Sequence, residues 1–285
     1  MTTLLCYNSP EYYILLDTFQ NTKLDKWVAI NVESFIYEWK EDKYDNGNLK
    51  ERYLTRFGEK EGEYKEWWLN GQLWFHCYYK AGKLDGEYKS WFDNGQLSRH
   101  CHYKEGKREG EYKEWYSTRV GDAVRSQRDL TNERLEPRDP VSQSPEGDNS
   151  QLWIHCYYKE GKEEGEYKES YSNGNLSLHC YYKKGKKEGE YKDWWSNGQL
   201  KVHYNSKEGK KEGDYKEWYE NGQLEIHCHF NKGKIEGEYK DWYDNGQLSF
   251  YCNYKKGKLE GEYKGWDEEG VLIKDEVYHN GEKIN

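Results

Sequence analysis

Aromatic, charged and glycine residues recur in a fixed order every 24 residues along most of this chain. The stretch from Glu61 to Lys83 shows this order, and close copies precede and follow it. A period of this length is typical of repeat proteins, in which each unit is one supersecondary element. The asparagine of an Asn-Gly pair marks the copies, at Asn46, Asn70, Asn94, Asn173, Asn197, Asn221 and Asn245.

Each unit has the pattern of two short β-strands joined by tight turns. In one unit the strands run from Glu63 to Trp68 and from Gln72 to Lys80, with Asn70-Gly71 between them. An Asn-Gly pair between such strands predicts a type I′ turn, in which both central residues have positive φ. Gly82 then lets the chain reverse into the next unit. Helices are disfavoured because glycine interrupts every run after about ten residues and because aromatic residues favour pleated surfaces.

Side chains alternate between the two faces of a strand, so stacked units are expected to place equivalent residues in rows. In the first strand, Tyr64 and Trp68 share a face and Trp67 points to the other. One unit buries too few apolar groups to offset the entropy of ordering it, so neighbouring units must stabilise each other. In the second strand, one face is predicted to hold Leu73, Phe75, Cys77 and Tyr79, and the other Gln72, Trp74, His76 and Tyr78.

The repeated residues resemble the MORN-repeat variant. The sequence that carries the resemblance is Gly-Glu-Tyr-Lys-x-Trp-Tyr-x-Asn-Gly-Gln-Leu, followed by Tyr-Lys-x-Gly-Lys-x-x-Gly, and it covers residues 38–285 apart from one insertion. Similar repeats occur in bacterial proteins labelled YwqK-type antitoxins and in many proteins of giant DNA viruses. The resemblance implies an all-β fold: an elongated single-layer antiparallel β-meander of tandem 24-residue hairpin repeats. In the wider family such arrays act as scaffolds, tethers or proposed membrane-recruitment modules.

The repeat pattern divides the chain into four segments. Residues 1–37 lack it, and we expect an N-terminal cap over the first sheet edge or a small separate module. Repeats are expected over residues 38–116 and 151–285, the latter ending in a C-terminal cap. Between them, residues 117–150 contain no aromatic residue and no lysine, and they enter where an Asn-Gly turn belongs. We predict a disordered insertion at a hairpin tip, serving either as a docking arm or as no more than a tolerated insertion.

Composition narrows the classes of function. Hydrophobic residues make up 34% of the chain and charged residues another 34%, which suits a thin sheet covered by rings and long polar side chains. The net charge of −9 disfavours nucleic acid as a partner. Neither a signal peptide nor a transmembrane segment is recognised. Cysteines at repeated positions suit a reducing compartment, so we expect an intracellular protein, cytoplasmic or peripheral to a membrane.

Repeated His-Cys pairs are the first candidates for chemistry. Adjacent residues on a strand point to opposite faces, so the two members of a pair cannot share a metal ion. Candidate nucleophiles and acids recur in nearly every unit, whereas an active site is one asymmetric cluster. We therefore predict no catalytic residue, no cofactor and no metal site. The pairs are His76-Cys77, His100-Cys101, His155-Cys156, His179-Cys180 and His227-Cys228.

A row of tryptophans is the first candidate binding surface. It is expected to lie opposite the face with the cysteines and to offer a groove for an extended peptide or a partner sheet. The alternative is that the rings only pack on Lys and Glu stems. Ser170 interrupts the row. Its members are Trp67, Trp91, Trp115, Trp194, Trp218, Trp242 and Trp266.

A row of lysines after the turn glycines is the second candidate. These side chains are expected to line one rim of the sheet and to contact acidic lipid headgroups or an acidic partner. The alternative is a solvated edge whose charge is offset by neighbouring carboxylates. The lysines are Lys83, Lys107, Lys162, Lys186, Lys210, Lys234 and Lys258.

These features predict a non-catalytic repeat scaffold that binds a protein partner through a Trp/Tyr-rich sheet face. The same surfaces allow a homodimer through an end or a face of the sheet. A peripheral membrane or phosphoinositide-binding role through the lysines is the alternative. An antitoxin-like neutralising partner is a third function, which rests on the family resemblance alone.

Overall fold

The computed structural model describes residues 37–117 and 151–284. These residues contain no helix and form one open antiparallel sheet of 19 strands, which confirms the predicted all-β fold. Each strand pairs with the next one along the chain. The strands are β1 (Tyr37–Lys43), β2 (Leu49–Arg56), β3 (Glu59–Trp67), β4 (Leu73–Lys80), β5 (Lys83–Trp91), β6 (Leu97–Lys104), β7 (Lys107–Trp115), β8 (Leu152–Lys159), β9 (Lys162–Ser170), β10 (Leu176–Lys183), β11 (Lys186–Trp194), β12 (Leu200–Lys207), β13 (Lys210–Trp218), β14 (Leu224–Asn231), β15 (Lys234–Trp242), β16 (Leu248–Lys255), β17 (Lys258–Trp266), β18 (Leu272–His279) and β19 (Glu282–Lys283).

The first strand of each unit is longer than the sequence pattern predicts. In the unit built on β3 and β4, the strand begins at Glu59, whereas the predicted strand began at Glu63. The extra residues pair with the end of β2 beyond a bulge, at which three residues of β3 face one residue of β2. The central residue of the bulge is Gly62, with φ +74°. A bulge of this kind bends the strand and increases its local twist.

The loop at the Asn-Gly pair is not the predicted type I′ turn. Gly71 N–H donates to the Trp68 carbonyl at 2.8 Å, and Trp68 N–H donates to the Gln72 carbonyl at 2.7 Å. This pattern defines a three-residue loop in which only the glycine has positive φ. Asn70 serves through its side chain: its oxygen accepts the Gln72 N–H at 3.0 Å, and its amide donates to the Asp93 carbonyl of the next unit at 2.8 Å.

The type I′ turn lies at the other end of the strands. Ala81 and Gly82 have φ of 46° and 72°, and they connect two directly paired residues of β4 and β5. Ala81 N–H donates to the Glu61 carboxylate at 2.8 Å, and Gly82 N–H donates to the Lys60 carbonyl at 3.0 Å. This turn is thereby attached to β3, the strand before its hairpin. Equivalent carboxylates at the later turns belong to Asp85, Glu109, Glu164, Glu188, Glu212, Glu236 and Glu260.

One face of the sheet carries a buried row in which tyrosine and cysteine alternate. Cys77 pairs with Tyr64 on one side and with Tyr88 on the other, so equivalent cysteines are separated by a tyrosine strand. The side chain of Cys77 has no exposed surface. The Phe75 ring lies between the same two tyrosines, with ring centroids 5.4 and 6.0 Å away. Within residues 37–117 and 151–284 the sheet has no second layer, so stacked rings shield the row.

One unit has tyrosine where the others have cysteine, and the row accommodates it. The Tyr204 ring stacks on Tyr191 at a centroid distance of 4.5 Å and lies 5.8 Å from Tyr215. Tyr204 is still buried. The row therefore depends on mutual coverage by neighbouring strands and accepts either a thiol or a ring at this position.

Leu73 does not share the face of the cysteines, and that prediction was wrong. Glu66 pairs with Phe75, but the next residue, Trp67, pairs with Leu73, so Trp74 has no direct partner on β3. Directly paired residues lie on the same face, and this bulge therefore moves Leu73 to the face of Trp67. Trp74 packs on the buried face, with its ring 5.3 Å from that of Phe75, so its predicted place on the face of His76 was also wrong.

Aromatic side chains also connect consecutive units by hydrogen bonds. The Tyr219 hydroxyl donates to the Trp242 carbonyl at 2.8 Å, and the Trp68 indole donates to the Trp91 carbonyl at 3.1 Å. Phe92 occupies this position in one unit and has no polar group to donate. The other donors are Tyr44, Tyr116, Tyr171, Trp195 and Tyr243.

The sheet continues in register across the insertion. Trp115 pairs with Leu152, and Tyr116 N–H donates to the Gln151 carbonyl at 2.9 Å, as at the three-residue loops. Residues 1–36 and 118–150 lie outside the described residues. The N-terminal cap and the disordered insertion therefore stay predictions.

Replacing Tyr219 with phenylalanine removes the hydroxyl that donates to the Trp242 carbonyl and keeps the ring. We expect the free energy of unfolding in urea to fall by about 0.5–1.5 kcal/mol, the net contribution of one hydrogen bond. Tyr181→Phe is the matched control, because Tyr181 is 41% exposed and makes no such bond to the next unit. Equal losses in the two variants would contradict the role of the inter-unit bond.

The six repeat cysteines should resist thiol reagents in the folded protein. Burial raises the pKa of Cys77, Cys156 and Cys252 to about 12, and that of Cys180 and Cys228 to about 11. Since the thiolate is the reactive form, we expect no fast reaction with a disulfide reagent at pH 8 and six reactive thiols in urea. Cys6→Ser removes the one remaining thiol from the titration. Fast labelling of the folded variant would contradict the burial of the cysteines in the tyrosine–cysteine row.

Candidate interaction surfaces

The predicted tryptophan row lies on the face opposite the cysteines. Trp67 directly follows Glu66, whose carboxylate accepts a hydrogen bond from the buried Tyr64 hydroxyl at 3.2 Å. Neighbouring residues of a strand point to opposite sides, which places Trp67 on the other face, here called the Trp face. All seven tryptophans of the row occupy the last position of their strands and are half-buried. Ser170 occupies this position at the end of β9.

The backbone beneath the Trp face is held in place. The carbonyl groups of Trp67, Trp91, Trp194, Trp218, Trp242 and Trp266 each accept a hydrogen bond from an aromatic side chain of the preceding unit. Consecutive members of the row are separated by two strands, or about 10 Å. The row is therefore a regular series of partly exposed rings on a fixed backbone.

Charged groups on the Trp face pair with one another. The Glu87 carboxylate contacts Lys89 Nζ at 2.7 Å and His100 Nε2 at 3.0 Å. The hydrogen bond from Lys89, and then that from His100, lowers the pKa of Glu87. The same carboxylate–lysine–histidine cluster recurs around Glu111, Glu166 and Glu190. The middle of the face is thus polar but locally balanced in charge.

The predicted lysines form an exposed row at the type I′ turns, here called the lysine rim. Lys83 pairs directly with Lys80 across the turn, and the same arrangement of two lysines recurs at five further turns. At the remaining turn Asn231 faces Lys234. Among the described residues, none of the seven rim lysines forms a salt bridge. Like charges placed opposite each other are destabilising unless an anion lies nearby.

The two rows lie at opposite ends of the strands. Within β11, Lys186 is the first residue and Trp194 the last, so roughly 25 Å separates them along the strand. The tryptophans border the Asn-Gly loops and the lysines border the type I′ turns. A narrow ligand that follows one row therefore does not contact the other.

Histidine and cysteine of one pair lie on opposite faces. His100 forms part of the Trp face, whereas Cys101 is buried in the tyrosine–cysteine row. One further histidine was missed by the sequence analysis: His102 lies with His100 and Glu87, and their ligand atoms are all within 4.8 Å of one another. The available signal was the His-x-His spacing on β6, which places both rings on one face.

Residues 37–117 and 151–284 include no helix that is long and apolar enough to cross a membrane.

Comparison with known proteins identifies the repeat. No curated protein matches the chain. A solved structure described as "Crystal Structure of TcdB2-TccC3" is 11% identical with a TM-score of 0.19, and the alignment covers 91% of this chain and 15% of that one. A TM-score this low supports no conclusion about fold or function. Residues 60–81, 84–105, 163–184, 187–208, 211–232, 235–256 and 259–280 match the MORN repeat variant family. Each match spans a bulged strand, an Asn-Gly-type loop and the following strand, and together they cover more than half of the sequence, so the chain belongs to the MORN repeat variant family.

Proposed function

We propose that this protein is a non-catalytic repeat scaffold that binds a protein partner through its Trp face. The observation that carries the proposal is the row of seven half-buried tryptophans at one strand position. Tryptophan is enriched among the residues that dominate binding energy at protein interfaces. A regular series of rings suits an extended peptide or the face of another sheet, because both present side chains at fixed intervals.

The chemistry of the described residues supports a binding role over a catalytic one. The repeat cysteines are buried, and burial raises the pKa of side chains such as Cys77 and Cys228, which keeps them as thiols. The carboxylate–histidine pairs recur in several units and are balanced by lysines on the same face. Equivalent groups in many units favour repeated contacts with a partner over one reaction centre.

Binding of an anionic membrane or a phosphoinositide through the lysine rim is the second candidate. The observation in its favour is the set of directly opposed, exposed lysines without carboxylate partners. However, the carboxylates that accept hydrogen bonds from the turns lie beside the same lysines, as Glu164 does at the turn before Lys186. These carboxylates reduce the local positive potential, so we rank the rim below the Trp face. The antitoxin function stays a prediction from the family resemblance.

Replacing Trp194, Trp218 and Trp242 together with serine removes three adjacent rings and copies Ser170 of β9, where the strand pairing is intact. We expect the partner set from proximity labelling in the native host to be lost. With the partner identified, its affinity should fall by about 30-fold or more for each ring that is buried at the interface. The matched control changes Lys186, Lys210 and Lys234 to glutamine on the same three strands. Loss of the partner in the lysine variant alone would contradict binding through the Trp face.

The lysine rim is tested with liposomes containing phosphatidylserine or a phosphoinositide. If the second candidate holds, the full chain should float with these liposomes at low salt and detach at high salt, because the attraction is screened over a Debye length. The lysine variant should then lose flotation and the tryptophan variant should retain it. Absence of flotation at low salt would eliminate this candidate without affecting the first.

A further inference from the structure

We propose that Glu87, His100 and His102 bind a divalent transition-metal ion of the Zn²⁺ class on the Trp face. Their ligand atoms all lie within 4.8 Å of one another, and this is the only such group of three among residues 37–117 and 151–284. His100 Nε2 is already 3.0 Å from the Glu87 carboxylate. Around a tetrahedral zinc ion with bonds near 2.1 Å, ligand atoms lie roughly 3.4 Å apart, so a small rotation closes the site.

The site arises from a departure from the repeat. A carboxylate–histidine pair is present in several units, but the position of His102 is held by tyrosine in three of them, at Tyr78, Tyr157 and Tyr181, and by a second histidine in one, at His229. His102 is exposed, and its ring lies 5.5 Å from that of His100. An exposed imidazole can turn toward its neighbour without disturbing packing. The second histidine therefore adds a third ligand to a pair that the fold already holds in place.

The ligand set selects the class of metal. Two imidazoles and one carboxylate suit zinc, nickel or copper, whereas magnesium and calcium prefer oxygen ligands. Three protein ligands leave the fourth tetrahedral position for water. Lys89 competes with the metal, because its Nζ lies 2.7 Å from the same carboxylate oxygen of Glu87. Metal binding therefore displaces an ammonium group.

A titration of the folded full chain with ZnCl₂, followed by calorimetry, tests the site. Co²⁺ is the spectroscopic probe, because tetrahedral Co²⁺ absorbs visible light. We expect one ion to bind per chain, at Glu87, His100 and His102. His102→Tyr, which copies Tyr157 and Tyr181, should weaken binding by at least about tenfold, since even groups behind the ligands contribute 10–100-fold to metal affinity. Lys89→Gln should strengthen binding by about two- to fivefold, because it removes a competing, partly exposed ion pair.

Two control variants change histidines outside the site. His203→Tyr copies Tyr251, which occupies the equivalent position in another unit, and should leave the affinity unchanged. His229→Tyr removes the other His-x-His sequence, in which His229 contacts Asp214 at 3.2 Å, and should also have no effect. Unchanged zinc affinity in a folded His102→Tyr variant would overturn the proposal, as would loss of binding in His229→Tyr alone.

Discussion

A sheet without a second layer excludes water only where side chains of neighbouring strands cover each other. The tyrosine–cysteine row meets this constraint. Each small thiol lies between two tyrosine strands, and the rings of Tyr64, Phe75 and Tyr88 close over Cys77. Hydrogen bonds also connect neighbouring units, because aromatic side chains of one unit donate to backbone carbonyl groups of the next. Stability is therefore shared between neighbours, as expected for a linear repeat array.

Much of this architecture could be predicted from the sequence, because period and alternation directly record strand length and face. The cysteine positions, the tryptophan row and the lysine rim all follow from counting. The turn types could not be predicted in this way. Asn-Gly is compatible with both two- and three-residue loops, and the loop at Glu269-Gly270 takes the three-residue form without an asparagine. Leu73 was assigned to the wrong face because a bulge interrupts the alternation of side chains between the two faces. No residue type in the sequence indicates this bulge.

The candidate sites are of two kinds: those built from residues that recur in the units and one that depends on a residue found in few units. Surfaces that belong to the repeat, such as the Trp face, could be predicted from the sequence because their residues recur at the same position in nearly every unit. The group of Glu87, His100 and His102 was missed because it depends on His102, and only one other unit has histidine at this position, at His229. In a repeat protein, the regular positions build the scaffold and a shared surface, while a residue that is rare at its repeat position can supply local chemistry. Ser170 is an exception of the opposite kind, since it removes one ring from an otherwise regular row.

The two long edges of the sheet differ in how much new sequence they accept. At the type I′ edge, the eight turns from Ala81-Gly82 onward are each held by backbone and carboxylate hydrogen bonds to an earlier strand, which leaves little freedom in length. At the Asn-Gly edge, a whole segment enters between Tyr116 and Gln151, yet the pairing on both sides is that of an uninterrupted hairpin. A segment can therefore be inserted at this edge without a change in the strand pairing. The tryptophans border the same edge. Sequence inserted there therefore lies next to the Trp face, the surface that the units share.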